Sequence, residues 1–147
     1  MRIIHHKENC IGCKACQQAC QDLHNFPPKM KIMEIIEKEC GKADGISVEY
    51  HMSVCRQCVR PVCMAECMEG AISRNLEGIV LIDDSLCIGC GRCREVCPEY
   101  AIQLRRTNKG KKATKCDICI SYSKKNREQA GIPVCVGACP LNCISVG

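Results

Sequence analysis

Cys87-Ile88-Gly89-Cys90-Gly91-Arg92-Cys93-Arg94-Glu95-Val96-Cys97-Pro98 reads C-x2-C-x2-C-x3-C-P. Three cysteines at this spacing wrap one corner of a cuboidal [4Fe–4S] cluster, and the fourth ligates a different cluster. The x3 interval sets Cys93 and Cys97 one helical turn apart on one face. That turn carries Cys97 outward, so the stretch predicts partner cysteines elsewhere.

The chain supplies them in excess. It has 147 residues, of which eighteen are cysteine. Sixteen of these form four groups of four. Cys10, Cys13, Cys16 and Cys20 repeat the C-x2-C-x2-C-x3-C pattern; Cys55, Cys58, Cys63 and Cys67 read C-x2-C-x4-C-x3-C; Cys87, Cys90, Cys93 and Cys97 follow; Cys116, Cys119, Cys135 and Cys139 read C-x2-C-x15-C-x3-C. An internal repeat of this kind defines an architecture before any single element is assigned. With one Phe, three Tyr and no Trp, the chain is short of large apolar side chains, and small cores need staples.

The nature of the staple follows from context. Disulfides need an oxidising compartment. Residues 1–8 show no apolar segment and no twin arginine, so export by a signal of its own is not expected and a cytoplasmic location is. No apolar run approaches the length of a membrane span. Zinc also uses C-x2-C pairs, but four consecutive tetrads with these third-cysteine offsets are not ribbon spacing. Iron–sulfur clusters fit best. Each needs four soft thiolates converging on one centre, so four groups of four predict four [4Fe–4S] clusters. The groups can exchange fourth ligands between neighbours, or in a nested order. The stretch 54–104 is a complete two-motif unit and favours pairing the second group with the third.

Local patterning completes the reading. Helices are expected to begin near Lys14, Val62, Arg92 and Val134, each spanning an x3 interval. Pro98 and Pro140 stop two of them, while the first continues past Cys20 toward Pro27 and Pro28. Residues 31–53 alternate around turn residues 41–45 and predict a hairpin. A short strand over 78–83 should pair back toward residues 71–73. Ile72, Ile102 and Ile144 each follow a fourth cysteine and should start strands that cover a cluster.

Formal net charge is +5 with every cysteine counted neutral. Thiolate-bound cubanes carry roughly −2 each when oxidised, so four of them bring the balance to about −3. Residues 105–127 hold the one charge run: Arg105, Arg106, Lys109, Lys111, Lys112, Lys115, Lys124, Lys125 and Arg127 against Asp117 alone. It reads first as a solvated loop offsetting buried anions, second as a docking patch for an acidic partner. Nucleic-acid binding ranks last, since almost no aromatics are present to stack bases.

Over residues 10–144 the four motifs, including the x4 of the second and the long insert of the fourth, resemble the four-cluster iron–sulfur subunits of the dimethyl sulfoxide reductase family. Similar proteins serve formate dehydrogenases, hydrogenases, carbon monoxide dehydrogenases and tungsten aldehyde oxidoreductases. The chain is most like the small subunits paired with tungsten or molybdenum aldehyde or formate oxidoreductases. The resemblance implies nested pairing: Cys10/Cys13/Cys16/Cys139, Cys116/Cys119/Cys135/Cys20, Cys55/Cys58/Cys63/Cys97 and Cys87/Cys90/Cys93/Cys67. It implies an α+β fold of tandem bacterial-ferredoxin-like lobes, with residues 1–53 and 105–147 forming the outer lobe and 54–104 the inserted one. Cys20-Gln21 and Cys67-Met68 depart from the family by lacking the proline after the fourth ligand.

The implied function is electron transfer without catalysis of its own. The catalytic site would sit in a tungsten- or molybdenum-pterin partner subunit. Ferredoxin, a hydrogenase or a flavin or nicotinamide-linked subunit would stand at the other end. Self-association into a longer wire is a further arrangement. The alternatives are an electron-transfer subunit of a hydrogenase or carbon monoxide dehydrogenase and, from another class, a structural zinc-binding module. Cys40 and Cys143 are expected to be packed thiols, Met64 and Met68 to pack against clusters, and His5, His6, His24 and His51 to lie at the surface or behind the ligands.

Overall fold

The structure, a computed structural model, describes residues 1–125 and 131–147. It is an α+β arrangement of short helices and four separate two-stranded antiparallel sheets. All eighteen cysteines are free of disulfides.

Strand β1 (Ile3–His5) meets the far end of the sequence, pairing with β8 (Ile144–Val146) in the register Ile3↔Val146 to His5↔Ile144. The pairing extends outward through reciprocal bonds between Arg2 and Gly147, 2.6 and 3.0 Å long. Helix α1 (Ala15–Leu23) carries Cys16 and Cys20 and runs three residues past Cys20, as its missing proline allows. The expected hairpin is present as β2 (Met33–Lys42) and β3 (Gly45–Val54). Its strands reach further than the turn residues suggested: Gly41 and Lys42 pair with Ile46 and Gly45, leaving Ala43 and Asp44 as the loop.

The one-turn helices α2 (Val62–Ala65), α3 (Arg92–Glu95) and α5 (Val134–Gly137) begin where the x3 intervals predicted. α1 packs on α5, and α2 packs on α3. The short strands β4 (Ile72–Arg74) and β5 (Val80–Ile82) pair with Ile72 opposite Ile82.

The charge run is not a solvated loop. Gln103–Thr107 (β6) and Gly110–Thr114 (β7) form a hairpin, followed by α4 (Ile120–Lys125). Arg105 pairs with Asp84 across to the loop after β5. Lys112 Nζ donates to the Cys87 carbonyl, and Lys115 is only 6% exposed. Strand alternation explains this: Ala113 and Lys115 share a side, and that side faces inward. Arg127 lies outside the described residues.

Two apolar cores result. Ile3, Ile32, Met33, Ile35, Val54, Ile79, Ile118 and Ile144 form one; Ala71, Ile72, Val80, Ile102 and Ala113 form the other. Cysteines complete both. Ile79 and Val80 are adjacent in sequence, yet each belongs to a different core, because successive side chains point to opposite sides of an extended backbone. Residues 79–80 are thus the seam. Ile79 is fully buried, which for a side chain of this size is worth about 1.5–3 kcal/mol.

Candidate metal centres

The repeat is visible in the backbone. The residue before the second cysteine of every motif has a left-handed conformation: Gly12 (φ 71°), Gln57 (49°), Gly89 (71°) and Ile118 (59°). So does the third residue after the fourth cysteine in three motifs, Gly70 (62°), Tyr100 (50°) and Asn142 (51°). There the N–H bonds back to the cysteine carbonyl at 3.1–3.3 Å. Non-glycine residues pay about 1–3 kcal/mol for such conformations, and this strain concentrates at functional loops. The glycines of the first and third motifs marked this position in the sequence; Gln57 and Ile118 occupy it without that marker. Gly12 and Gly89 have a second constraint. A Cβ on Gly12 would run into the Tyr50 ring, and one on Gly89 into the Lys111 carbonyl oxygen.

The cysteines gather in groups drawn from distant motifs. Cys10, Cys13, Cys16 and Cys139 line one cavity, walled by Ile11, Ile35, Leu141 and Ile144. Cys20, Cys116, Cys119 and Cys135 line a second. Cys67, Cys87, Cys90 and Cys93 line a third. Cys63 has Cys55 and Cys97 as electrostatic neighbours, and Cys58 is the exposed second cysteine of its motif, as Cys13 and Cys90 are of theirs.

Each group also adjoins another. Burial pushes Cys135 up to about 12, with the charges of Cys119 and then Cys16 adding to it. Burial raises Cys116, with Cys135, Cys20 and Cys55 contributing. Burial raises Cys93 to about 11, and Cys87, Cys90 and Cys63 add to that. Cys16–Cys135, Cys55–Cys116 and Cys63–Cys93 thus join the groups into a series.

These groups fit an anionic iron–sulfur centre. Backbone N–H groups point at cysteine sulfurs, from Ala113 to Cys87 Sγ (3.3 Å) and from Cys143 to Cys139 Sγ (3.2 Å). Such bonds stabilise negative charge on sulfur. His5 lines the first cavity, and its Nε2 is the one buried side-chain nitrogen or oxygen lacking a hydrogen-bond partner among the described residues. Burial, then the neighbouring His51, holds its pKa below the usual histidine value. Among the described residues no three His, Cys, Asp or Glu side chains close on a single ion-sized point.

Residues 46–147 match the family described as a 4Fe-4S dicluster domain. The chain belongs to this family. It is 36% identical to the B subunit of the anaerobic dimethyl sulfoxide reductase of Haemophilus influenzae over 146 residues, 93% of this protein and 68% of that subunit. It is 33% identical to the corresponding B subunit of Escherichia coli K12 over 146 residues, 94% and 68% of the two proteins. Protein NrfC of Escherichia coli K12 is 33% identical over 148 residues, which are 99% of this protein and 64% of NrfC. This member of the dicluster family is an iron–sulfur electron-transfer protein, and no helix among its described residues is long and apolar enough to cross a membrane.

Two side-chain expectations need correction or refinement. Met68 is 92% exposed and Met64 also lies at the surface. Met64 follows Cys63 by one residue within α2, which turns it about 100° away from the Cys63 side of the helix; Met68 lies beyond the end of α2 and lines the third cavity. Cys143 is a packed thiol, 2% exposed, while Cys40 is half-buried on β2.

Proposed function

We propose that this protein carries electrons through four [4Fe–4S] clusters between a catalytic pterin oxidoreductase subunit and a second redox partner. The ligand sets are Cys10/Cys13/Cys16/Cys139, Cys20/Cys116/Cys119/Cys135, Cys55/Cys58/Cys63/Cys97 and Cys67/Cys87/Cys90/Cys93. When bound, these clusters supply one-electron carriers. The thiolates hold the iron, the backbone N–H donors at Cys87 and Cys139 favour the more negative redox state, and the two apolar cores keep water from the inner ligands. The observation that carries this reading is the series of adjoining cysteine groups, whose outer members include the exposed Cys13 and Cys90.

The lobes are assigned as 1–53 with 105–147, and 54–104. The two cores support this division in part: Val54 and Ile79 of the inner segment pack in the outer core, and the β6–β7 hairpin straddles residue 104 and gives Ala113 to the inner core. The partner is a tungsten or molybdenum enzyme acting on an aldehyde or formate. Support comes from the resemblance to small subunits of such enzymes and from relatives named as one component of a reductase. Sixteen thiolates must meet iron before they oxidise, which suits the cytoplasm.

Native anaerobic purification tests both levels. Four clusters require about sixteen iron atoms per protein molecule; a value near eight refutes the four-cluster assignment. A copurifying subunit bearing a pterin metal supports the partner. A nickel enzyme in its place overturns it.

A further inference from the structure

Lys115 is a buried cation at the seam. Its Nζ has three acceptors: the Val80 carbonyl, the Cys116 carbonyl at 3.1 Å and the Cys55 Sγ at 3.5 Å. An ammonium has three donors and no acceptor, so this set uses it completely. No carboxylate forms an ion pair with it among the described residues. A buried charge needs a counter-charge, and the groups at hand that become anionic are the cysteines of two neighbouring motifs.

Its position is fixed by its surroundings. Gln57, 7% exposed, donates to the same Cys116 carbonyl at 2.9 Å and accepts from the Val80 N–H at 2.8 Å. Cys55–Cys58, residue 80 and Cys116 are therefore tied at one point, with the ammonium between the sulfur of a ligand of one lobe, Cys55, and the carbonyl of a ligand of the other, Cys116. The charge also reaches Cys63, where it opposes the upward push of burial on the thiol.

We propose that Lys115 is an electrostatic positioning residue for electron transfer between the lobes, raising the reduction potential of the centre held through Cys55 and so making it the preferred resting place of an electron at the seam. This rests on the four-cluster reading. The step is a one-electron reduction of the Cys55 centre by its neighbour, with no proton or bond transferred. A fixed positive charge beside a thiolate ligand stabilises the more negative, reduced form.

The test is an EPR-monitored redox titration of the complete, cluster-loaded protein, with the Cys55 centre assigned by its loss in Cys55→Ala. Lys115→Met should lower the reduced-to-oxidised ratio of that centre at least tenfold at fixed poise, equivalent to 59 mV for one electron. Lys115→Arg should restore it. An unmoved potential, an equal shift of every centre, or an Arg variant shifted as far as Met overturns the proposal. If Lys115→Met fails to load, wild-type protein labelled with ζ-15N lysine answers instead. Pulsed EPR of the reduced Cys55 centre should show a nitrogen coupling; its absence overturns the proposal. Iron analysis of wild type keeps the two readings apart. Sixteen irons with an unmoved potential defeat the lysine role alone, whereas a wild type with no centre at Cys55 defeats both.

Discussion

The Ala113 N–H donates to the Cys87 Sγ over 3.3 Å, although the two residues lie 26 positions apart. A strand from the charge run therefore shields and polarises a cysteine sulfur of the third motif. The neighbouring Lys112, bonded to the Cys87 carbonyl, and Gly89, pressed against Lys111, make the same contact broader.

Gly89→Ala should break it. The new methyl would meet the Lys111 carbonyl oxygen, a backbone atom with no freedom to withdraw, at a φ of 71° that already disfavours alanine. We expect a loss of about 3 kcal/mol or more. Thermal unfolding of the loaded protein gives the measure, and stability within about 0.5 kcal/mol of wild type would show that β7 does not press on this loop.

Cys97→Ala should damage its neighbour more than its own motif. Cys97 and Cys55 both bear on Cys63, whereas Cys87, Cys90 and Cys93 line a cavity with Cys67. The expected variant lacks about four irons and one EPR signal, while the signal that depends on Cys67 persists. Loss of the Cys67-dependent signal alone would reverse the ligand exchange.

Gln57→Leu should weaken the seam. The change removes both partners of the amide and leaves the Val80 N–H and one bond to the Cys116 carbonyl unmet. Each buried unsatisfied group costs about 1–3 kcal/mol. Hydrogen exchange at Val80 should accelerate more than at Ile72; uniform exchange across both sites would contradict a local role.

Cluster loading should strengthen with pH. Burial pushes the Cys20 thiol up to about 12, with Cys119 and Cys135 adding to it, and Cys135 is pushed to about 12 by the same kind of cause. Both are protonated in the neutral, iron-free protein. Iron binds the thiolate, so every ligand formed releases a proton. Affinity therefore rises with pH throughout the range below the raised values. Anaerobic reconstitution between about pH 7 and about pH 9 should show tighter uptake and proton release at the alkaline end; equal uptake at both ends argues against protonated ligands.

What was legible in the sequence was local. The x3 intervals placed α2, α3 and α5, because the two cysteines need one turn of helix between them. The alternation around residues 41–45 placed the β2–β3 hairpin. The β1–β8 pairing was not legible: each strand has three residues, too few for a period, and their partnership is a matter of long-range closure. Lys115 was hidden for a different reason. A run of cations reads as solvated by composition, whereas its burial depends on strand register and on how the hairpin meets the seam. Gln57 was hidden because its left-handed backbone is imposed by the loop, where the equivalent glycines advertise it.

The pairing of β1 with β8 has a consequence for synthesis on the ribosome. Cys10, Cys13 and Cys16 emerge before the second and third motifs, yet Cys139, beside them in the fold, emerges after both. Residues 55–97 are all available well before that moment. Maturation should therefore proceed from the inside outward, with the cysteines of the first motif among the last to be enclosed, and with a thiol-protecting or chaperoning step most useful to residues 10–20 of the nascent polypeptide.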